Sequence, residues 1–245
     1  MNFTGKTAII TGAAVGIGKA TAIQLATYGA NVVMVDMNAE TLSAAEAEVK
    51  AASDKVMAVV CDVTDTTAVN DCVERATERF GGVDILVNNA ALWRCWASFL
   101  ETPFEEWKKY LDVNVMGTVY ITKAVLPQMV ERGWGRIINL ASVAGVYGNA
   151  KMAHYSATKG AIISFTKALA KEVAWCGVTV NSISPGTVNS SKNADIDATI
   201  PSEASYLGRT GTARENAELI CFLASESAAY ISGQNILIDG CRKTI

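Results

Sequence analysis

The chain has 245 residues, half of them hydrophobic and 18% charged, with 21 basic side chains facing 24 acidic ones. A mean hydropathy of +0.23 excludes a disordered chain, which needs little apolar content and much charge. The net charge of −3 gives no electrostatic footprint for a nucleic-acid or anionic-membrane partner.

In chain order, Thr7–Thr11 reads as a β-rich run, followed by a glycine-rich turn over Gly12–Gly18 and an amphipathic helix over Lys19–Tyr28. Asn31–Asp36 is a second strand closed by an acid, and Ala39–Ala52 a second helix. Val56–Cys61, Asp65–Phe80 and Val83–Val87 continue as strand, helix and strand. Pro103 to Glu131 is helical, with interruptions expected at Gly117 and Pro127. Arg136–Leu140, His154–Cys176, Val178–Ile183, Ala213–Ala224 and Asn235–Ile238 complete the alternation as strand, helix, strand, helix and strand. The strands are short and continuously apolar, the pattern of strands buried on both faces of a parallel sheet. Strands alternating with helices call for right-handed βαβ crossovers, so the expected fold is α/β, a doubly wound sheet with helices on both faces. Residues 1–245 fit one large domain. The polar stretch Thr187–Gly211 breaks the rhythm and is expected to be a substrate loop inside that domain.

No basic n-region followed by a separable apolar core opens the chain, and no uninterrupted apolar run reaches the ~18 residues of a membrane span. The cysteines (Cys61, Cys72, Cys95, Cys176, Cys221, Cys241) stand far apart without a CxxC pair, and the chain has one histidine. That argues against a zinc site and fits a reducing, cytoplasmic compartment.

The turn at Gly12, Gly16, Ile17 and Gly18 sits between a strand and a helix. Glycines there let the backbone approach a pyrophosphate, which meets unpaired N–H groups at the helix start. Asp36 lies 18 residues beyond Gly18, where a carboxylate accepts hydrogen bonds from a ribose diol. A 2′-phosphate would be repelled, and the positions where basic residues would rescue it hold Val15 and Met37. The expected cofactor is therefore NAD(H). Asp62, Val63 and Asn89 follow the third and fourth strands, at the strand ends where open α/β sheets bind ligands.

Tyr155 and Lys159 are four apart and share a helix face. A free tyrosine, with pKa ~10, is a poor base at neutral pH. A fixed positive charge nearby favours the phenolate and makes Tyr155 an acid/base for an alcohol–carbonyl pair. The spacing alone is weak, because Tyr and Lys often share a solvated face. Ser142, thirteen residues earlier and just past the fifth strand, lies at the same sheet edge as the glycine turn and can hold a substrate oxygen. Asn114, a polar residue in an apolar helical run, reads either as a satisfied core amide or as a support that fixes Lys159 through a water.

Taken together, the TGxxxGxG turn at Thr11–Gly18, Asp62-Val63, Asn88-Asn89-Ala90, Asn114, Ser142, Tyr155xxxLys159 and Pro185-Gly186 resemble the short-chain dehydrogenase/reductase family. The general plan is close to that of its 3-oxoacyl-carrier-protein reductases. The resemblance implies a single-domain Rossmann fold with a seven-stranded parallel sheet. It implies Tyr155 as general acid/base, and Lys159 binding the nicotinamide ribose and lowering the Tyr155 pKa. It further implies Ser142 orienting the substrate oxygen, Asn114 maintaining a proton relay, Val188 meeting the nicotinamide carboxamide, and a homotetramer. No metal is required, because Tyr155 and Ser142 polarise the carbonyl. Two positions depart from the family pattern: Ala91 stands where a glycine is usual, and Ser190 replaces a common threonine.

Trp93 and Trp96 follow the cofactor edge and read either as the lining of an apolar substrate site or as packing. His154 is expected to be structural. The 187–211 loop carries no basic cluster for a phosphate or a carrier-protein surface. The expected activity is an NAD(H)-dependent interconversion of a secondary alcohol and a ketone, with a neutral small-molecule substrate such as a hydroxysteroid or polyol. A 3-oxoacyl-carrier-protein reductase is the alternative; such reductases mostly use NADPH. A non-catalytic dinucleotide-binding protein is a third reading, opposed by the intact Ser142, Tyr155 and Lys159.

Overall fold

The computed structural model describes residues 1–93, 96–189 and 195–243. Seven strands form one parallel sheet: β1 (Thr7–Thr11), β2 (Asn31–Asp36), β3 (Val56–Val60), β4 (Ile85–Asn88), β5 (Gly135–Leu140), β6 (Val178–Pro185) and β7 (Asn235–Ile238). Their spatial order is β3-β2-β1-β4-β5-β6-β7, and every pairing is parallel. The order reverses direction between β1 and β4, which opens a crevice at their carboxyl ends.

The period-2 geometry of strands splits the core into two layers. Ile10, Met34, Val87 and Ile138 pack on one face with Leu25 of α1 (Gly16–Thr27), Leu42 of α2 (Ala39–Lys50) and Ile220 of α8 (Ala213–Ala224). Their neighbours Ile9, Val33, Leu86 and Ile137 face the other way. There they meet Val69 of α3 (Thr66–Phe80), Val125 of α5 (Gly117–Arg132) and Leu169 of α7 (Ala153–Val173). Both faces are dry, which is why the strands read as unbroken apolar runs. The buried thiols of Cys61 and Cys72 belong to the second layer, and desolvation pushes them up to about 11 and about 12.

One expectation fails. Gly117 and Pro127 do not interrupt the helix. The chain runs from α4 (Phe104–Leu111) through a π-turn at Asp112–Met116 directly into α5. Gly117 is needed for packing: a Cβ there would stand 2.6 Å from Cγ2 of Val63. Pro127 has no N–H for the carbonyl four residues earlier. Both it and Lys123 lie on the exposed face of α5, where water can serve that carbonyl. The sequence also gave no sign of α6 (Val143–Tyr147), a single turn between β5 and α7. Among the described residues no helix is long and apolar enough to cross a membrane.

Candidate active site

The glycine turn is built by clamping β1 to β4. Thr11 Oγ1 accepts from the backbone N–H groups of Asn89 and Ala90, both at 3.0 Å, and Asn89 Nδ2 donates to the carbonyls of Thr11 and Gly12, both at 2.9 Å. Gly12 and Gly16 take φ of +63° and +55°, a region that disfavours side chains. A Cβ on Gly18 would collide with the Gly12 carbonyl oxygen, so helix α1 can start this close to the turn only without one. Asp36 closes β2 at the rim. Its carboxylate accepts from Ala14 N at 3.2 Å and Asn38 N at 3.0 Å, which leaves further lone pairs open.

The second half of the site rests on β5, α6 and α7. Ser142 is the N-cap of α6, and its Oγ accepts from Ala144 N at 3.1 Å. The lone pair on that side is occupied, and the hydroxyl hydrogen is free to turn to the Tyr155 hydroxyl, whose pKa it lowers. Burial raises the Tyr155 pKa above its ordinary value; the bond with Ser142 opposes the rise, and Tyr110 adds to it. Lys159 is 3% exposed, its Nζ donates to the Leu140 carbonyl at 2.6 Å, and desolvation brings its pKa down to about 8. Its Nζ stands 5.8 Å from the Tyr155 ring centre.

Gly145 makes this grouping possible. A Cβ on Gly145 would lie 2.5 Å from the Lys159 carbonyl carbon and 2.7 Å from Gly160 N. Helix α6 therefore rests directly on the backbone of α7, beside the turn that carries Tyr155 and Lys159.

A cleft of about 460 Å³ joins the two halves. Of the residues singled out from the sequence, Gly12, Gly16, Ile17, Asp36, Asn89, Ser142, Tyr155, Lys159 and Val188 line it. Gly18 is buried behind the turn. Asp62 is exposed and its Oδ1 accepts from Thr64 N and Oγ1 at 2.9 and 2.8 Å; Val63 is buried against Gly117. Asn114 is buried too. Its Oδ1 accepts from Leu92 N at 2.7 Å, and its Nδ2 donates to Leu92 O at 3.0 Å and to Thr158 Oγ1 at 3.1 Å. The amide thus ties the segment after β4 to the residue before Lys159. His154 is fully buried, edge-on to Tyr110 with ring centres 4.3 Å apart, and desolvation lowers its pKa.

Trp93 and Trp96 line the cleft while remaining 55% and 64% exposed. Three further lining residues, Asn149, Met152 and Arg242, carry no sequence signal: they lie outside every motif, and only the tertiary fold brings them in. The 195–211 segment is fastened to the start of α8 by Arg214–Asp197 at 2.6 Å and Arg209–Glu215 at 2.6 Å. Ser190, Lys192 and Cys95 lie outside the described residues.

A family model described as short chain dehydrogenase matches residues 6–201. The chain is 37% identical over 243 residues to the 3-oxoacyl-[acyl-carrier-protein] reductase of Thermotoga maritima, covering 98% of each. It is 36% identical over 248 residues to the 2-dehydro-3-deoxy-L-rhamnonate dehydrogenase (NAD(+)) of a Sphingomonas species, covering 99% of this chain and 97% of the relative. A crystal structure of NAD+-bound xylitol dehydrogenase superposes with a TM-score of 0.89 at 34% identity, covering 98% of this chain and all of the other.

Proposed function

The chain belongs to the short chain dehydrogenase family of oxidoreductases, and we propose that within it this protein is an NAD(H)-dependent enzyme that interconverts a secondary alcohol and a ketone. The observation that carries this reading is one cleft lined by the clamped glycine turn, the Asp36 carboxylate, the Ser142–Tyr155 hydroxyl pair and buried Lys159. The cleft runs along Gly12 and Gly16, where a pyrophosphate would meet the start of α1, and Gly18 lets that helix begin close behind the turn. Ile17, Asn89 and Val188 would line the same dinucleotide, and Asp62 and Val63 its adenine end. Bound there, a nicotinamide dinucleotide supplies or accepts the hydride.

The chain's own groups manage the proton and the geometry. Ser142 donates to the substrate oxygen and holds it next to Tyr155. Tyr155 gives its phenolic proton to the developing alkoxide in reduction and takes it back in oxidation. Lys159, its charge kept from water, stabilises the phenolate and holds the nicotinamide ribose. Asn114 acts through position, fixing the helix turn that presents Lys159 and so the proton relay behind it. The whole chain, 1–245, works as one dinucleotide-binding domain with 187–211 as its substrate loop, and as a cytoplasmic homotetramer.

The relatives named as 3-oxoacyl-[acyl-carrier-protein] reductases, 36–40% identical, favour a second reading in which the substrate is an acyl thioester. One experiment separates the two. Oxidation of NADH and of NADPH is followed at 340 nm with a panel of oxo-steroids, sugar ketones and acetoacetyl thioesters. The proposal expects NADH to be preferred, with a non-thioester ketone as the better substrate; NADPH-dependent turnover of acetoacetyl thioester would establish the second reading.

A further inference from the structure

Arg242 is the one feature of the cleft that a neutral substrate leaves unexplained. It comes from the far end of the chain and reaches the cleft because residues 241–243 pair with 204–206. Tyr206 N donates to Cys241 O, and Lys243 N to Ala204 O, both at 2.9 Å, and Ser205 bridges Arg242. Arg242 lines the cleft, as do Thr187 and Val188; it also borders a small adjoining hollow with Asp239, but no carboxylate of a described residue stands within ion-pair distance of it. Arg209, which borders the same hollow, is committed to Glu215, and the exposed Lys243 lies over the Tyr206 ring. Asp36, the one acid among the described residues lining the cleft, closes β2 on the far side of the sheet from β7. A half-buried arginine without a partner offers a planar fork of donors that matches a carboxylate in two parallel hydrogen bonds. Trp93, Trp96 and Met152 add an apolar wall to the same cavity.

We infer that the substrate is an oxo or hydroxy acid with an apolar body. Arg242 takes its carboxylate, Trp93 and Trp96 cover the body, and its carbonyl oxygen meets Ser142 and Tyr155. Arg242 is then the residue that sets specificity. The other cation among the described lining residues, Lys159, is buried and held to the Leu140 carbonyl beside Tyr155, so the single guanidinium of Arg242 suits one negative charge better than a phosphate. The inference rests on the reading above and leaves its redox step as it stands: the ketone gains a hydride from the reduced dinucleotide and a proton from Tyr155.

The test pairs 4-oxo-4-phenylbutanoate with its methyl ester, which replaces the negative charge by a methyl group and keeps the rest of the molecule. Binding to the intact protein is read from quenching of intrinsic tryptophan fluorescence, and turnover from NADH oxidation. The acid should bind the wild type at least tenfold more tightly than the ester. Arg242→Gln should bring that ratio to about one, with NADH affinity shifted less than twofold, and Arg242→Lys should restore part of the preference. Equal binding of acid and ester in the wild type overturns the inference, as does a preference that survives Arg242→Gln. A loss of NADH affinity as large as the loss of acid affinity also overturns it, since Arg242 would then face the cofactor. Turnover of the ester that is lost in Tyr155→Phe, with no acid preference, leaves the oxidoreductase reading standing and removes the carboxylate site alone. Charge-selective binding without turnover of either compound does the reverse.

Discussion

Tyr155 stands under opposing influences: burial raises its pKa, and the hydrogen bond with Ser142 lowers it. The sign of a Ser142 deletion follows. Alcohol oxidation needs the phenolate, so its rate rises with pH as Tyr155 loses its proton. Ser142→Ala removes the lowering influence, and the alkaline-rising limb of kcat/KM against pH, which reports the free protein, should move to higher pH, with kcat/KM at neutral pH down by about 10²-fold or more. A profile that drops in height without moving would mean that Ser142 orients the substrate but does not tune the phenol. Lys159 presents the converse case, an ammonium whose pKa burial lowers to about 8. The sequence suggested that its charge would lower the Tyr155 pKa. In the free protein that charge is turned to the Leu140 carbonyl at 2.6 Å, and burial dominates at both groups.

At the scale of elements, the site depends on how closely α6 lies on α7. A Cβ at Gly145 would press on backbone atoms of Lys159 and Gly160 at 2.5 and 2.7 Å, which cannot swing aside as a side chain would. Overpacking of this kind costs about 1–3 kcal/mol, or roughly 2–12 °C in a chain of this size. Gly145→Ala should therefore lower Tm by that amount in calorimetry and cut kcat at least tenfold, because Ser142 caps the displaced helix. Wild-type kcat in this variant would show that Ser142 is held by something other than the α6–α7 contact. The elements also show where sequence reasoning works and where it stops. The bounds of β1, β2, β7 and α8 were readable because apolar runs with clear ends are local signals. Gly117 and Pro127 misled because their meaning is tertiary: one makes room for Val63 and the other faces water. The motif residues announced themselves by spacing, whereas Arg242 has no local pattern and reaches the cleft only through the pairing of 241–243 with 204–206.

At the scale of the whole molecule, the sheet order places both halves of the site at one edge. The turn after β1 and the segment after β4 flank the point where the strand order reverses, and β5 and β6 bring Ser142 and Val188 to the same cleft. The apolar fraction that opened the sequence reading fills two dry layers and leaves large exposed side chains, among them Phe104, Trp175 and Tyr230. If subunit contacts cover part of that surface, sedimentation equilibrium should give about four times the 25.9 kDa of one chain; a monomer mass would refute the tetramer. The central claim is that Tyr155 moves the proton in an NAD(H)-dependent carbonyl–alcohol reaction. It is tested most directly by Tyr155→Phe, with ketone turnover at 340 nm and NADH binding by fluorescence measured on the same preparation. Loss of turnover by about 10²–10⁴-fold with NADH affinity retained is the expected result, and turnover at the wild-type rate would contradict it.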